Sequence, residues 1–163
     1  MKKLFLLSST IILLISCSVT KENRSYQKAI NGRWVVDEVT YEGPNGKYNI
    51  ENALGEGKPE CFIGSIWNLI QNNSSGNYTL PGGAECNSGT KMINWSVYQP
   101  ANGLSYFQFK VIHYGNKAKD ILSGYRLGID RVSQDEMELR SSNKIEGENQ
   151  TYDIIYHFKR DNQ

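Results

Sequence analysis

Only two histidines, three cysteines and four prolines occur among the 163 residues, and each shortage removes a class of function. Two distant histidines and scattered thiols do not supply the four clustered ligands of a structural zinc site. His113 and His157 have no G-x-S-x-G or reactive-cysteine signature to serve, and a catalytic base needs a nucleophile within hydrogen-bond reach. No P-loop spacing is present, so no phosphate cradle of that type is expected. The acidic groups at 135–138 and 146–148 read as turn and solvent-face charges. Together these point away from an enzyme, a cofactor and a metal. Charge of one sign is lacking too: 18 basic residues face 17 acidic ones, a net charge of +1. With no basic run, nothing suggests a nucleic-acid partner. Apolar runs are short. The run at 4–16 covers thirteen mostly apolar residues, fewer than the roughly 20 a membrane-spanning helix needs.

That short run has its own meaning. Lys2 and Lys3 precede it and small residues close it, the pattern of a secretory signal peptide. At its exit, Leu14-Ile15-Ser16-Cys17 resembles at every position the lipobox of bacterial lipoproteins. The resemblance implies cleavage after Ser16, a diacylglycerol thioether on Cys17 and acylation of the new amino group. Several acyl chains give stable anchoring, where one alone holds only marginally. Ser18, rather than Asp, follows the cysteine, which in similar Gram-negative lipoproteins implies the outer membrane. The domain then stands in the periplasm or at the cell surface, with membrane lipid as its covalent partner.

Removing residues 1–16 from 163 leaves 147, enough for one domain with a real core. Lys2 and Lys3 leave with the signal, so 16 basic residues face 17 acidic ones, a net charge of −1. Residues 17–29 are mostly polar and read as a tether from Cys17, and residues 30–163 as the folded domain. Cys61 and Cys86 remain in an exported chain, where a disulfide is the expected state.

Helix signals are weak, limited to a short turn over 25–30 before Asn31-Gly32. Elsewhere the period is two. Segments 33–41, 65–71, 77–80, 90–98, 104–114, 121–132, 136–141 and 150–160 are rich in aromatic and β-branched residues, each bounded by Gly, Pro, Asn or Ser clusters. Eight such segments predict an all-β fold, an eight-stranded antiparallel up-and-down barrel, rather than a sandwich. The long stretch 49–64 is a lid over the open end or a short helix.

Gly32-x-Trp34 at the start of the first strand resembles the G-x-W motif that opens lipocalins. In that family the Trp crosses the closed end of the barrel beneath an Arg of the last strand. Here Tyr152, Ile154, Tyr156, Phe158 and Arg160 share one face by alternation, and Arg160 is the expected partner of Trp34. The running order of the Cys61 segment, the Ile66-Trp67 strand, Cys86, the 93–98 strand and the terminal aromatic strand is similar to bacterial lipocalin-like lipoproteins over residues 30–160. The second and third lipocalin motifs have no clear counterpart. The resemblance implies a small hydrophobic ligand in the barrel, and Trp67, Phe107, Phe109, Tyr125 and Tyr156 are the residues placed to line a cavity. The same residues would equally fill a solid barrel. In that case the chain is an envelope interaction or inhibitor module acting on a protein partner through its loops.

Overall fold

The computed structural model describes residues 21–44, 50–145 and 150–162. Cys17, the signal segment and the first residues of the tether lie outside the described residues. A helix, α1 (Lys21–Ile30), leads into eight strands: β1 (Gly32–Glu42), β2 (Ile66–Ile70), β3 (Ser75–Gly83), β4 (Cys86–Tyr98), β5 (Tyr106–Ile112), β6 (Tyr125–Val132), β7 (Glu136–Lys144) and β8 (Thr151–Arg160). Each strand pairs antiparallel with the next, and β8 returns to β1, closing the barrel. All eight strands predicted from the period-two pattern are present. Closure removes the unpaired edges that an open sheet would expose.

Alternation sets the core. Ile93, Trp95 and Val97 of β4, Phe107 and Phe109 of β5, and Leu127 and Ile129 of β6 are buried, while the residues between them in β4 and β5 are partly exposed and Gly128 of β6 is buried. β1 breaks the rule. Trp34 and Val36 are buried, then an extra residue shifts the register against β8 between Val36 and Glu38. Val39 and Tyr41 consequently pair with Tyr156 and Ile154, so the inward parity changes along the strand, as a bulge requires.

The closed end is built by the G-x-W motif. Trp34 pairs with Arg160 across β1 and β8, and the guanidinium carbon lies 3.8 Å from the indole ring centroid, a contact worth about 0.5–2 kcal/mol. The helix explains the rest of the geometry. Its last carbonyls have no intrahelical donors, and side chains supply them: Trp34 Nε1 donates to Ile30 O at 2.7 Å, and Arg160 Nη2 donates to Ala29 O at 3.0 Å. Arg160 Nη1 also donates to Asn31 O at 2.7 Å. Gly32 holds φ at +127°, and a Cβ there would meet Arg160 Nη1 at 2.3 Å, so glycine alone fits beneath the arginine.

Residues 21–29 depart from the tether reading. The expected turn over 25–30 is the end of a longer helix, because Tyr26 and Ile30, four apart, pack on the core and the terminal carbonyls are capped. β6 begins four residues later than expected: Ala118–Asp120 forms a 3₁₀ turn, held where Lys110 Nζ donates to Ile121 O at 2.6 Å and Ala118 O at 3.4 Å. β3 and β4 run further than expected, so Gly83 pairs with Cys86 across a two-residue turn.

Candidate functional site

The end of the barrel opposite Trp34 is where ligand chemistry was expected, and its architecture is set by the β1–β2 connection. Residues 50–65 turn inward. Ala53 and Gly57 form an isolated bridge, and Pro59–Phe62 makes a 3₁₀ turn that drives Phe62 into the barrel, 1% exposed. The predicted lid or short helix is thus a plug containing one helical turn.

Fastenings hold the plug to β1, β3 and β4. Cys61 and Cys86 are bonded, as predicted, with Cα atoms 5.4 Å apart. Glu56 is a buried carboxylate with its charge satisfied from three sides. Tyr78 Oη donates to Oε1 at 2.6 Å, Asn87 Nδ2 donates to Oε2 at 3.2 Å, and Lys91 Nζ stands 3.8 Å from Oε2. Tyr41 donates its hydroxyl to Glu60. Lys58 pairs with Glu85 at 2.6 Å; this raises the lysine and lowers the carboxylate from their ordinary pKa values through the hydrogen bond and the charge contact. Burial, the hydrogen bond to a carboxylate and its charge all raise the Tyr78 and Tyr41 hydroxyls above the ordinary tyrosine range.

Below the plug the barrel is filled with rings. Trp67 of β2 stacks on Tyr78 of β3 at 4.6 Å between centroids and meets Phe109 of β5 and Phe158 of β8 edge-on at 5.5 and 5.8 Å. Phe107 lies against Trp95 at 5.7 Å, and Phe62 of the plug meets Tyr156 edge-on at 5.5 Å. One indole that touches β5 and β8 together spans the lumen. Of the residues nominated for a cavity, Trp67, Phe107, Phe109 and Tyr156 are all at most 2% exposed and pack on one another or on neighbouring core rings. The reason is volume: aromatic side chains at this density fill an eight-stranded barrel. Trp67 keeps its polar atom satisfied through Ser65 Oγ at 3.0 Å.

Tyr125 differs. It opens β6, packs on Phe109 at 5.2 Å and is only half-buried. Its hydroxyl pKa is raised first by burial and then by the charge of Glu56. A Cβ on Gly55 would stand 2.3 Å from Tyr125 Oη, so the plug backbone passes directly over this tyrosine. Beside it, between the plug and the β6–β8 wall, lies a cleft of about 360 Å³. Ile50, Leu54 and Ile154 give it apolar surface, with Tyr125, Tyr152 and Asn143 at its polar margin. Its volume falls within the range of small-molecule sites.

Sequence reasoning missed the plug residues Phe62 and Glu56 and the β3 tyrosine that holds Glu56, Tyr78. Phe62 carried one usable signal, its place next to a bonded cysteine. Glu56, between two glycines in a loop, follows no period that would reveal an inward side chain. The histidines stand apart from the cleft. His113 is exposed beyond β5, and His157 on the outer wall lies 2.8 Å from Thr40 Oγ1 and 3.4 Å from Glu138. Among the described residues, no group of three or more His, Cys, Asp or Glu could hold a metal ion, and no helix is long and apolar enough to cross a membrane. Compared with family models, curated proteins and solved structures, the chain matches none of them significantly, so the site rests on its own geometry.

Proposed function

We propose that this chain is a lipid-anchored, lipocalin-like binding module of a bacterial cell envelope, and that it holds a small amphipathic molecule in the mouth cleft rather than in the lumen. The observation that carries this reading is the pairing of a ring-filled lumen with an open cleft of about 360 Å³ at Tyr125. The cleft's make-up suits an apolar body with a polar end: Ile50, Leu54 and Ile154 offer the first surface, and the Tyr125, Tyr152 and Asn143 side chains offer the second. Anchoring through acylated Cys17, at the lipobox-like position read from the sequence, would keep the site at a membrane, where amphipathic molecules concentrate.

Native mass spectrometry of the protein purified gently from its own envelope tests this reading. A non-covalent mass is expected, and Ser141→Trp, which places an indole at the cleft wall, should remove it. If the only added mass is acylation on Cys17, the ligand reading fails. A second reading then stands, an interaction module with a solid barrel and working loops. It is favoured by Tyr114 and Leu122, which project from the β5–β6 connection at 107% and 99% exposure. Large apolar side chains left fully in water are a feature of protein contact sites when they cluster.

A further inference from the structure

The outer wall of β4, β5 and β6 carries a second concavity that the mouth cleft does not explain. It is a groove of about 440 Å³ lined by Asn94, Ser96, Gln108, Lys110, Gly124 and Arg126. Two rungs of the sheet produce it. Ser96, Gln108 and Arg126 are cross-strand partners joined by hydrogen bonds: Gln108 Nε2 donates to Ser96 Oγ at 2.9 Å, and Arg126 Nη2 donates to Gln108 Oε1 at 3.2 Å. On the next rung Asn94 pairs with Lys110. The place beyond Lys110 belongs to Gly124, where a Cβ would meet Phe109 O at 2.8 Å. The missing side chain leaves the hollow.

The hollow is rich in donors. Lys110 Nζ gives two of its three protons to Ala118 O and Ile121 O, which fixes the ammonium in place with one proton to spare. Arg126 has five N–H donors and spends one on Gln108. Its plane is held over the faces of Tyr98 and Tyr106, at 4.7 and 5.8 Å from their centroids. Among the described residues, neither cation forms an ion pair with a carboxylate. Residues 113–129 add Lys117 and Lys119 against a single acid, Asp120. Lys110 and Arg126 are diagonal neighbours on adjacent strands, about 7–8 Å apart in such pairs with their Cβ atoms somewhat closer. Two long cationic side chains at that spacing can converge on one group.

We propose that this groove binds a small molecule through an oxyanion, a carboxylate or a phosphate, held between Lys110 Nζ and the Arg126 guanidinium. The planar fork of Arg126 matches either group, and the tyrosine faces beneath it reduce the ordering that binding would otherwise require.

Calorimetric titration of the full detergent-purified protein tests the site, with inorganic phosphate and glucuronate as separate probes. Saturable one-site binding of at least one probe is expected, and the preferred probe identifies the oxyanion. Arg126→Gln should weaken it by about tenfold or more, the loss of a charge-assisted contact. Lys110→Met should weaken it similarly, although Lys110 also pins the neighbouring turn, so the exposed Arg126 is the deciding variant. Arg131→Gln, which removes a cation already paired with Glu136 and Glu138 on the outer wall, should leave affinity unchanged. No saturable binding of either probe, or equal affinity in Arg126→Gln and the unaltered protein, overturns the proposal.

Discussion

Two buried tyrosines separate the meaning of burial from the meaning of a hydrogen bond. Tyr78 and Tyr156 are at most 1% exposed. Tyr78 donates to Glu56, whereas Tyr156 Oη has no hydrogen-bond partner among the described residues. Deleting the first hydroxyl strips a buried carboxylate of a donor; deleting the second removes an unpaired polar atom. Tyr78→Phe should therefore cost about 2 kcal/mol, the range for a hydrogen bond to a charged group, and Tyr156→Phe should be neutral or stabilising. Urea unfolding of the two variants reads the contrast directly, and equal losses would contradict it. These two tyrosines, together with Tyr41 and Tyr125, predict an alkaline limit. Burial comes first among the causes that raise Tyr41, Tyr78, Tyr125 and Tyr156 above the ordinary tyrosine value of 10.0. A raised pKa means that the folded state holds the proton longer than the unfolded chain. Their contribution is thus complete below pH 10 and is lost as pH climbs from there through the folded values, by up to about 1.4 kcal/mol per pH unit for each of the buried Tyr78 and Tyr156 and by less for Tyr41 and Tyr125, which solvent screens. Stability measured from pH 8 to 12 should be flat at first and then fall, less steeply in Tyr78→Phe.

The plug is the element whose stability is separable from the barrel's. Its bonds run to β1, β3 and β4 through Tyr41, Tyr78, Asn87 and Cys86, and on the β6–β8 side it borders the cleft. The cystine closes a sequence separation of 25 residues, worth roughly 3–4 kcal/mol on the chain-entropy account. The double variant Cys61→Ala/Cys86→Ala should lose about that much in urea unfolding. Hydrogen exchange should quicken most over residues 53–64, since local opening follows the loss of local fastening. Uniform quickening through β6–β8 would mean instead that the plug and the barrel unfold together. At this scale the sequence was uneven. The eight strands were legible because each sheet face faces one environment, which stamps a period of two on the chain. The plug was not, because a loop that folds inward carries no period. The bulge in β1 was hidden too, since one extra residue, Asp37, leaves composition unchanged while reversing the inward parity beyond it.

For the whole molecule, the first matter is attachment. If Cys17 carries the anchor implied by its lipobox-like surroundings, fractionation should place the unaltered protein with membranes. Cys17→Ser should move it to the soluble fraction without changing its thermal transition, because the described domain begins beyond that residue. Retention of Cys17→Ser on membranes would remove the anchor from the account. The second matter is how one chain closes both ends of a barrel. At one end α1 lies beneath Trp34 and Arg160, its carbonyls capped by their side chains; at the other the disulfide-bonded plug inserts Phe62.

By itself the sequence determined the strand count and the Cys61–Cys86 pairing, because alternation and cysteine number are properties readable along the chain, while the Trp34–Arg160 closure was implied by the resemblance that Gly32-x-Trp34 carries. Whether Trp67, Phe107, Phe109 and Tyr156 surround a space or fill it was decided only by the tertiary structure. The two states have the same inward pattern and differ in volume. Volume is fixed by how rings from β2, β3, β5 and β8 meet across the lumen, and by a loop that sends Phe62 in among them.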